Sequence, residues 1–178
     1  MATKQRAETI DWPAQIHTTL RQAGVTQVAY VPDGGHARLI ELTQADPTFV
    51  TIPLTTEEEG VALLAGAWLG GARGVLLMQS SGVGNCVNML SLVRTCRFPL
   101  LLLVTMRGEW GEFNPWQVPM GSTTRQALEM MDLRVVRADR PEDVEPTVAA
   151  AADMAFRGDT AMAVLLSQRL IGAKVFVK

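Results

Sequence analysis

Six short apolar runs constrain this chain more than anything else in it. They are "QVAYVP" (27–32), "FVTIPL" (49–54), "GVLLMQ" (74–79), "LLLLVTM" (100–106), "LRVVRA" (133–138) and "AMAVLLS" (161–167). Most of their positions are apolar, rather than every second one. A strand that alternates has one wet face, whereas a strand that does not is covered on both. Between the runs lie helical patterns at 12–23, 35–44, 57–69, 85–97, 124–131 and 141–156, the last opening on Pro141, where a missing N–H costs nothing. Strand–helix alternation of this kind predicts an α/β fold: a doubly wound, six-stranded parallel sheet with helices on both faces. Ligands of such sheets bind at the carboxyl ends of the strands, near the reversal in strand order. The segments to watch are therefore 32–36, 54–58, 79–85 and 105–121.

Composition agrees and removes several function classes. The 178 residues suit a single domain with a sizeable core, and 48% hydrophobic against 19% charged residues excludes disorder. A formal net charge of −2 gives no footprint for nucleic acid or an acidic membrane surface. The longest uncharged apolar stretch, 61–72, is too short to span a bilayer, and the polar N-terminus carries no signal-peptide pattern. Cys86 and Cys96 lack metal or redox spacing, so two free thiols in a cytoplasmic protein are expected. No GxxxxGK[ST] occurs, and "PDGGHA" stands after the first strand where a dinucleotide fold would carry G-x-G-x-x-G.

Three glutamates in a row open the third helix in "TTEEEGVALLAGAWLGG" (55–71). Thr55 with Glu58, or Thr56 with Glu59, could form a capping box, and acidic residues suit a helix N-terminus in any case. The apolar, small-residue helix that follows packs tightly, however, so its start must lie near the interior. If Thr56 caps with Glu59, Glu58 is released toward the carboxyl edge of the sheet, where a carboxyl in dry surroundings can share a proton with a ligand.

Here the residues resemble a family. "EGVALLAGAWLGGARGVLLMQSSGVGN" (59–85) is similar to the pyrimidine-binding domain of thiamine-diphosphate-dependent decarboxylases and synthases, and the likeness runs over about residues 28–166. The combination of "LTTEEEGVALLAGAWLGG", "LMQSSGVGN", "MRGEWGE" and "QVPMG" looks closer still to the sulfopyruvate decarboxylase alpha-subunit and phosphonopyruvate decarboxylase families. The chain departs from them at Gly34 and Met106, on loops that face the substrate. Aligning the family's aromatic with Trp68 puts the family's catalytic glutamate at Glu58, ten residues earlier. The resemblance implies that Glu58 hydrogen-bonds the aminopyrimidine of thiamine diphosphate, with Pro32, Asp33, Ser81, Gly82 and Asn85 around the ring. His36 is a candidate for a substrate carboxylate, or else a surface histidine. Arg107 is a candidate for an anionic tail such as sulfonate or phosphonate, or else an ion-pair partner of Glu109 or Glu112.

The family's G-D-G motif for diphosphate and Mg²⁺ has only a faint echo here, "GDT" at 158–160, with too little chain after it. The expectation is half a site. A diphosphate-binding beta subunit would hold the diphosphate and Mg²⁺ in a hetero-oligomer, and the loop at 105–121, with Trp110 and Trp116, would pack against it. The expected activity is decarboxylation of a 3-substituted pyruvate such as sulfopyruvate or phosphonopyruvate. A carboligase subunit, or a binding or regulatory module of the same fold without chemistry, are the alternatives.

Overall fold

The computed structural model describes residues 10–173, so most of the polar N-terminal segment lies outside the described residues. Its strands are β1 (Val25–Tyr30), β2 (Val50–Pro53), β3 (Arg73–Gln79), β4 (Leu100–Thr105), β5 (Arg134–Ala138) and β6 (Ala161–Leu166). All pair in parallel in the order β2-β1-β3-β4-β6-β5, as the apolar runs predict. The helices are α1 (Trp12–Gln22), α2 (Ala37–Ala45), α3 (Glu57–Leu69), α4 (Ser80–Cys86), α5 (Ser91–Cys96), α6 (Val118–Met130), α7 (Pro141–Gly158) and α8 (Gln168–Ile171).

The sheet divides the core in two. Ile16, Leu20, Leu39, Val28, Leu77, Leu101, Leu103 and Val164 form one apolar layer beneath α1, α2 and α7. Val61, Leu64, Leu76, Met78, Leu102, Val104, Leu128 and Leu165 form the other, beneath α3 to α6. Successive β4 residues thus feed opposite layers, and every position of β4 and β6 is buried. The continuous apolar runs have that cause. The edge strands β2 and β5 are only partly covered.

Two boundaries differ from the sequence expectation. A single helix at 85–97 is instead α4 and α5, with α4 starting at Ser80 directly off β3. The glycines of "SSGVGN" read as a turn but sit inside α4, where Gly82 faces a neighbour that leaves no room for a Cβ. The second difference is α6, which begins at Val118 rather than at Thr124.

Strand order reverses between β1 and β3, which are neighbours although β2 intervenes in sequence. The crevice at this reversal is bounded by the loop after β1, the start of α4 and the end of β4.

Candidate functional site

The three glutamates at the start of α3 have three different fates. The helix buries Glu57, Gly60, Val61 and Leu64, an i, i+3, i+4, i+7 stripe. Glu57 therefore points inward with the core face. Its Oε2 accepts a hydrogen bond from Asn85 Nδ2 at 2.9 Å, and a Cβ on Gly82 would run into its carboxyl group. Glu59 is exposed, and its Oε2 accepts from the Thr55 N–H at 2.9 Å. Thr56 is the N-cap residue, but its side chain makes no cap hydrogen bond, so the expected Thr56–Glu59 box is not formed; Glu59 reaches one residue further back. Glu58, one helical step of about 100° off the buried stripe, is half-buried and forms no hydrogen bond or ion pair with any described residue. The interior carboxyl expected at Glu58 is thus Glu57, while Glu58 stays half-buried at the start of the helix. Burial, with both Glu57 and Glu58 nearby, pushes the Cys86 thiol up to about 12 and leaves it inert.

A second cluster closes the crevice at the strand reversal. Asp33 Oδ1 accepts from Gln79 Nε2 at 2.9 Å. Its Oδ2 accepts from the Thr105 hydroxyl at 2.6 Å and from the Gly35 N–H at 3.0 Å. Gln79 Oε1 in turn accepts from the Ser81 hydroxyl at 2.9 Å. A Cβ on Gly35 would press on both Asp33 and Thr105, so only glycine lets the loop close onto β4. Burial pushes the Asp33 carboxyl up, but the Thr105 hydroxyl, nearby His36, the Gln79 amide and the Gly35 N–H together hold it below its ordinary value. Gln79 and Thr105 belong to this site although sequence reasoning did not single them out. Both are strand-terminal polar residues after apolar runs, which is the signal that marks them.

His36 is not where a substrate could reach it. Its side chain is completely buried, with Nε2 at 3.0 Å from the Leu103 carbonyl oxygen. His36 is the N-cap residue of α2, and its imidazole reaches into the core to a β4 carbonyl instead of into the site. Nδ1 has no partner among the described residues, and burial holds the imidazole below its ordinary pKa. Pro32 is exposed at the mouth of the same loop.

Arg107 is likewise committed elsewhere. Its Nε and Nη2 donate to the two oxygens of Glu112 at 2.6 and 2.7 Å, and both side chains are buried. Glu112 also accepts from the N–H groups of Gly108 and Asn114 and from Gln168 Nε2. The Arg107 side chain holds the Glu112 carboxyl down at about 2. The ion-pair alternative for Arg107 is therefore the one the structure adopts. The rest of the loop is stapled the same way: Glu109 takes a bidentate pair from Arg137 at 2.7 and 2.9 Å and the Gln168 N–H at 2.9 Å, and Arg169 lies 5.4 Å from the Trp110 ring centre. Trp116 projects from this platform 82% exposed, with Trp110, Phe113 and Val118 each more than 40% exposed. Among the described residues no group of three or more His, Cys, Asp or Glu could hold a metal ion, and no helix is long and apolar enough to cross a membrane.

Residues 13–137 match the family described as thiamine pyrophosphate enzyme, N-terminal TPP binding domain. The chain is 34% identical over 158 residues to the sulfopyruvate decarboxylase subunit alpha of Methanothermobacter thermautotrophicus, covering 88% of this chain and 96% of that protein. It is 38% identical over 122 residues to a phosphonopyruvate decarboxylase of Streptomyces viridochromogenes, covering 67% of this chain but 31% of that one. A 2-oxoglutarate:ferredoxin oxidoreductase from Magnetococcus marinus shares the fold with a TM-score of 0.68 at 10% identity; the match takes in 90% of this chain and 29% of the other.

Proposed function

This chain belongs to the thiamine pyrophosphate enzyme N-terminal TPP binding domain family, and from that premise we propose that it is the pyrimidine-binding alpha subunit of a heteromeric, thiamine-diphosphate-dependent 2-oxo acid decarboxylase. Its substrate class is a 3-substituted pyruvate with an anionic tail, sulfopyruvate or phosphonopyruvate, as the names of its relatives suggest. The observation that carries the proposal is the split among the three glutamates. The fold occupies Glu57 and Glu59 and leaves Glu58, half-buried and unpaired, at the carboxyl edge of a sheet that binds ligands there. Two unpaired cysteines fit a cytoplasmic setting.

In this role Glu58 holds a proton at a ring nitrogen of the cofactor's aminopyrimidine. Glu57 and Asn85 brace α4 against the start of α3, and Gly82 leaves the room that the Glu57 carboxyl group fills. Pro32 and Ser81 border the ring. When bound, thiamine diphosphate supplies the electron sink that makes loss of CO₂ from a 2-oxo acid feasible. The diphosphate and Mg²⁺ fall to a beta subunit, the partner that the subunit naming of the relatives implies. The apolar platform around Trp116 is the surface that subunit would cover, excluding the water that would compete with the proton held by Glu58.

The test is co-expression with a diphosphate-binding subunit. The complex should release CO₂ from sulfopyruvate or phosphonopyruvate with thiamine diphosphate and Mg²⁺, and neither chain should do so alone. Tight cofactor binding and turnover by this chain alone would overturn the division of the site. A complex that binds no thiamine diphosphate would leave a binding or regulatory module.

A further inference from the structure

A serine hydroxyl has one proton, and where that proton points decides what the oxygen can offer a ligand. Ser81 is half-buried at the crevice, and the side chains behind it leave its proton one destination. Asp33 is an ionised carboxylate and can only accept. The Gln79 side chain, 2.9 Å from Asp33 Oδ1, must therefore turn its NH₂ end toward it. That puts the Gln79 carbonyl oxygen 2.9 Å from Ser81 Oγ. An amide oxygen cannot donate, so the Ser81 proton lies on the line to Gln79. Thr105 and the Gly35 N–H saturate the other Asp33 oxygen and fix the carboxylate in place.

We propose that Gln79 is a positioning residue that holds Ser81 as a hydrogen-bond acceptor toward the bound ligand. This rests on the function proposed above and sharpens it. The aminopyrimidine ring carries one donor group, its exocyclic amine, which suits Ser81. A carboxylate, sulfonate or phosphonate has only acceptors when ionised, and Ser81 repels it. The polarity set by Asp33 thus assigns this corner of the crevice to the cofactor's ring and turns the acid substrate elsewhere.

The experiment measures dissociation constants in the complex with the diphosphate-binding subunit and Mg²⁺, by quenching of tryptophan fluorescence. The probes are thiamine diphosphate and oxythiamine diphosphate, in which a carbonyl replaces the amine. Ser81→Ala should weaken thiamine diphosphate about two- to tenfold, the range of one neutral hydrogen bond, and leave oxythiamine diphosphate unchanged or tighter. Gln79→Leu should do the same, because it frees the hydroxyl to turn. Gln79→Glu alone sets two carboxylates face to face and should weaken thiamine diphosphate as well. Adding Asp33→Asn to it should restore binding to within about twofold of the parent protein: the asparagine NH₂ then donates where Asp33 Oδ1 accepted, and the glutamate still accepts from Ser81. A merely structural role would not give this rescue, nor discriminate between the two probes. Equal weakening of both probes by Ser81→Ala, or failure of the double variant, overturns the inference. If the unmodified complex binds neither probe, the functional proposal falls, and the polarity argument with it.

Discussion

The three glutamates differ by one helical step each, and that is enough to give them separate work. In the assembled complex, Glu58→Gln should slow hydrogen–deuterium exchange at the cofactor's reactive carbon by at least ~10²-fold, since an amide cannot share the proton. Glu59→Gln should cost about a kilocalorie per mole of stability or less, because glutamine can still accept from the Thr55 N–H. Gly82→Ala should behave differently from both. The new methyl displaces Glu57, and overpacking of this kind costs about 1–3 kcal/mol, readable as a lowered midpoint in urea unfolding. His36 adds a pH dependence. Burial holds its folded-state pKa below the ordinary 6.5, so under acid the unfolded chain takes up a proton that the folded chain refuses. Stability from this residue should be complete above about pH 6.5 and decline as pH falls below it. Urea midpoints between pH 8 and pH 5 check this, and His36→Gln should flatten the trend. The inward turn of Glu57 could have been read by extending the Gly60, Val61, Leu64 stripe back by one turn, but the spacing to Trp68 points to Glu58 instead. The burial of His36 was not legible, because its partner carbonyl at Leu103 is remote in sequence.

At the scale of elements, the loop expected at 105–121 is drawn tight by its glycines. A Cβ on Gly108 would strike the backbone of Gln117, and one on Gly121 the carbonyl of Arg107, so the two limbs touch backbone to backbone. That contact explains the early start of α6. Pro119 occupies its first turn, where no N–H is needed, and Gly121 is there for closeness rather than flexibility. Read from sequence, both residues are punctuation, because the limb they press against is remote from them in chain order. The six strands and the helices α1, α2, α3 and α7 could be read because periodicity is local; α8 could not, being a single turn held by Ser167 and by contacts with Glu109. The buried Arg107–Glu112 pair makes two outcomes specific. Arg107→Ala strands a carboxylate in the interior and should cost about 3–5 kcal/mol, whereas Arg107→Lys should raise KM for sulfopyruvate and pyruvate by similar factors, since the side chain serves the loop and not the substrate. The Glu112 carboxyl titrates at about 2 when folded and 4.5 ordinarily, so its contribution is present above pH 4.5 and is lost as pH falls toward 2. Acid should release Trp110 before the sheet unfolds, seen as a fluorescence shift preceding the loss of far-ultraviolet dichroism.

For the whole molecule, the platform around Trp116 should decide assembly. A tryptophan this exposed on a stapled loop is a natural interface anchor, and Trp116→Ala should weaken association with the beta subunit by at least about 2 kcal/mol, roughly thirtyfold in Kd by sedimentation. Gly60 lies against Leu76 and Leu54, and Gly74 against Leu64, without room for a single methyl. The helix that carries the glutamates is therefore seated on the sheet at backbone distance, and it can neither slide nor tilt without breaking the core. The segment at 106–117 is held mainly by polar contacts to α8 and to the ends of β5 and β6, on the far side of the strand reversal. The two halves of this edge thus rest on largely different elements, joined where Ser80 Oγ accepts from the Arg107 N–H at 3.1 Å. For the activity proposed above, an engineer could trade one such loop for another to admit a new acid while the glutamate helix keeps its seat, which would make substrate range the evolvable variable of the fold.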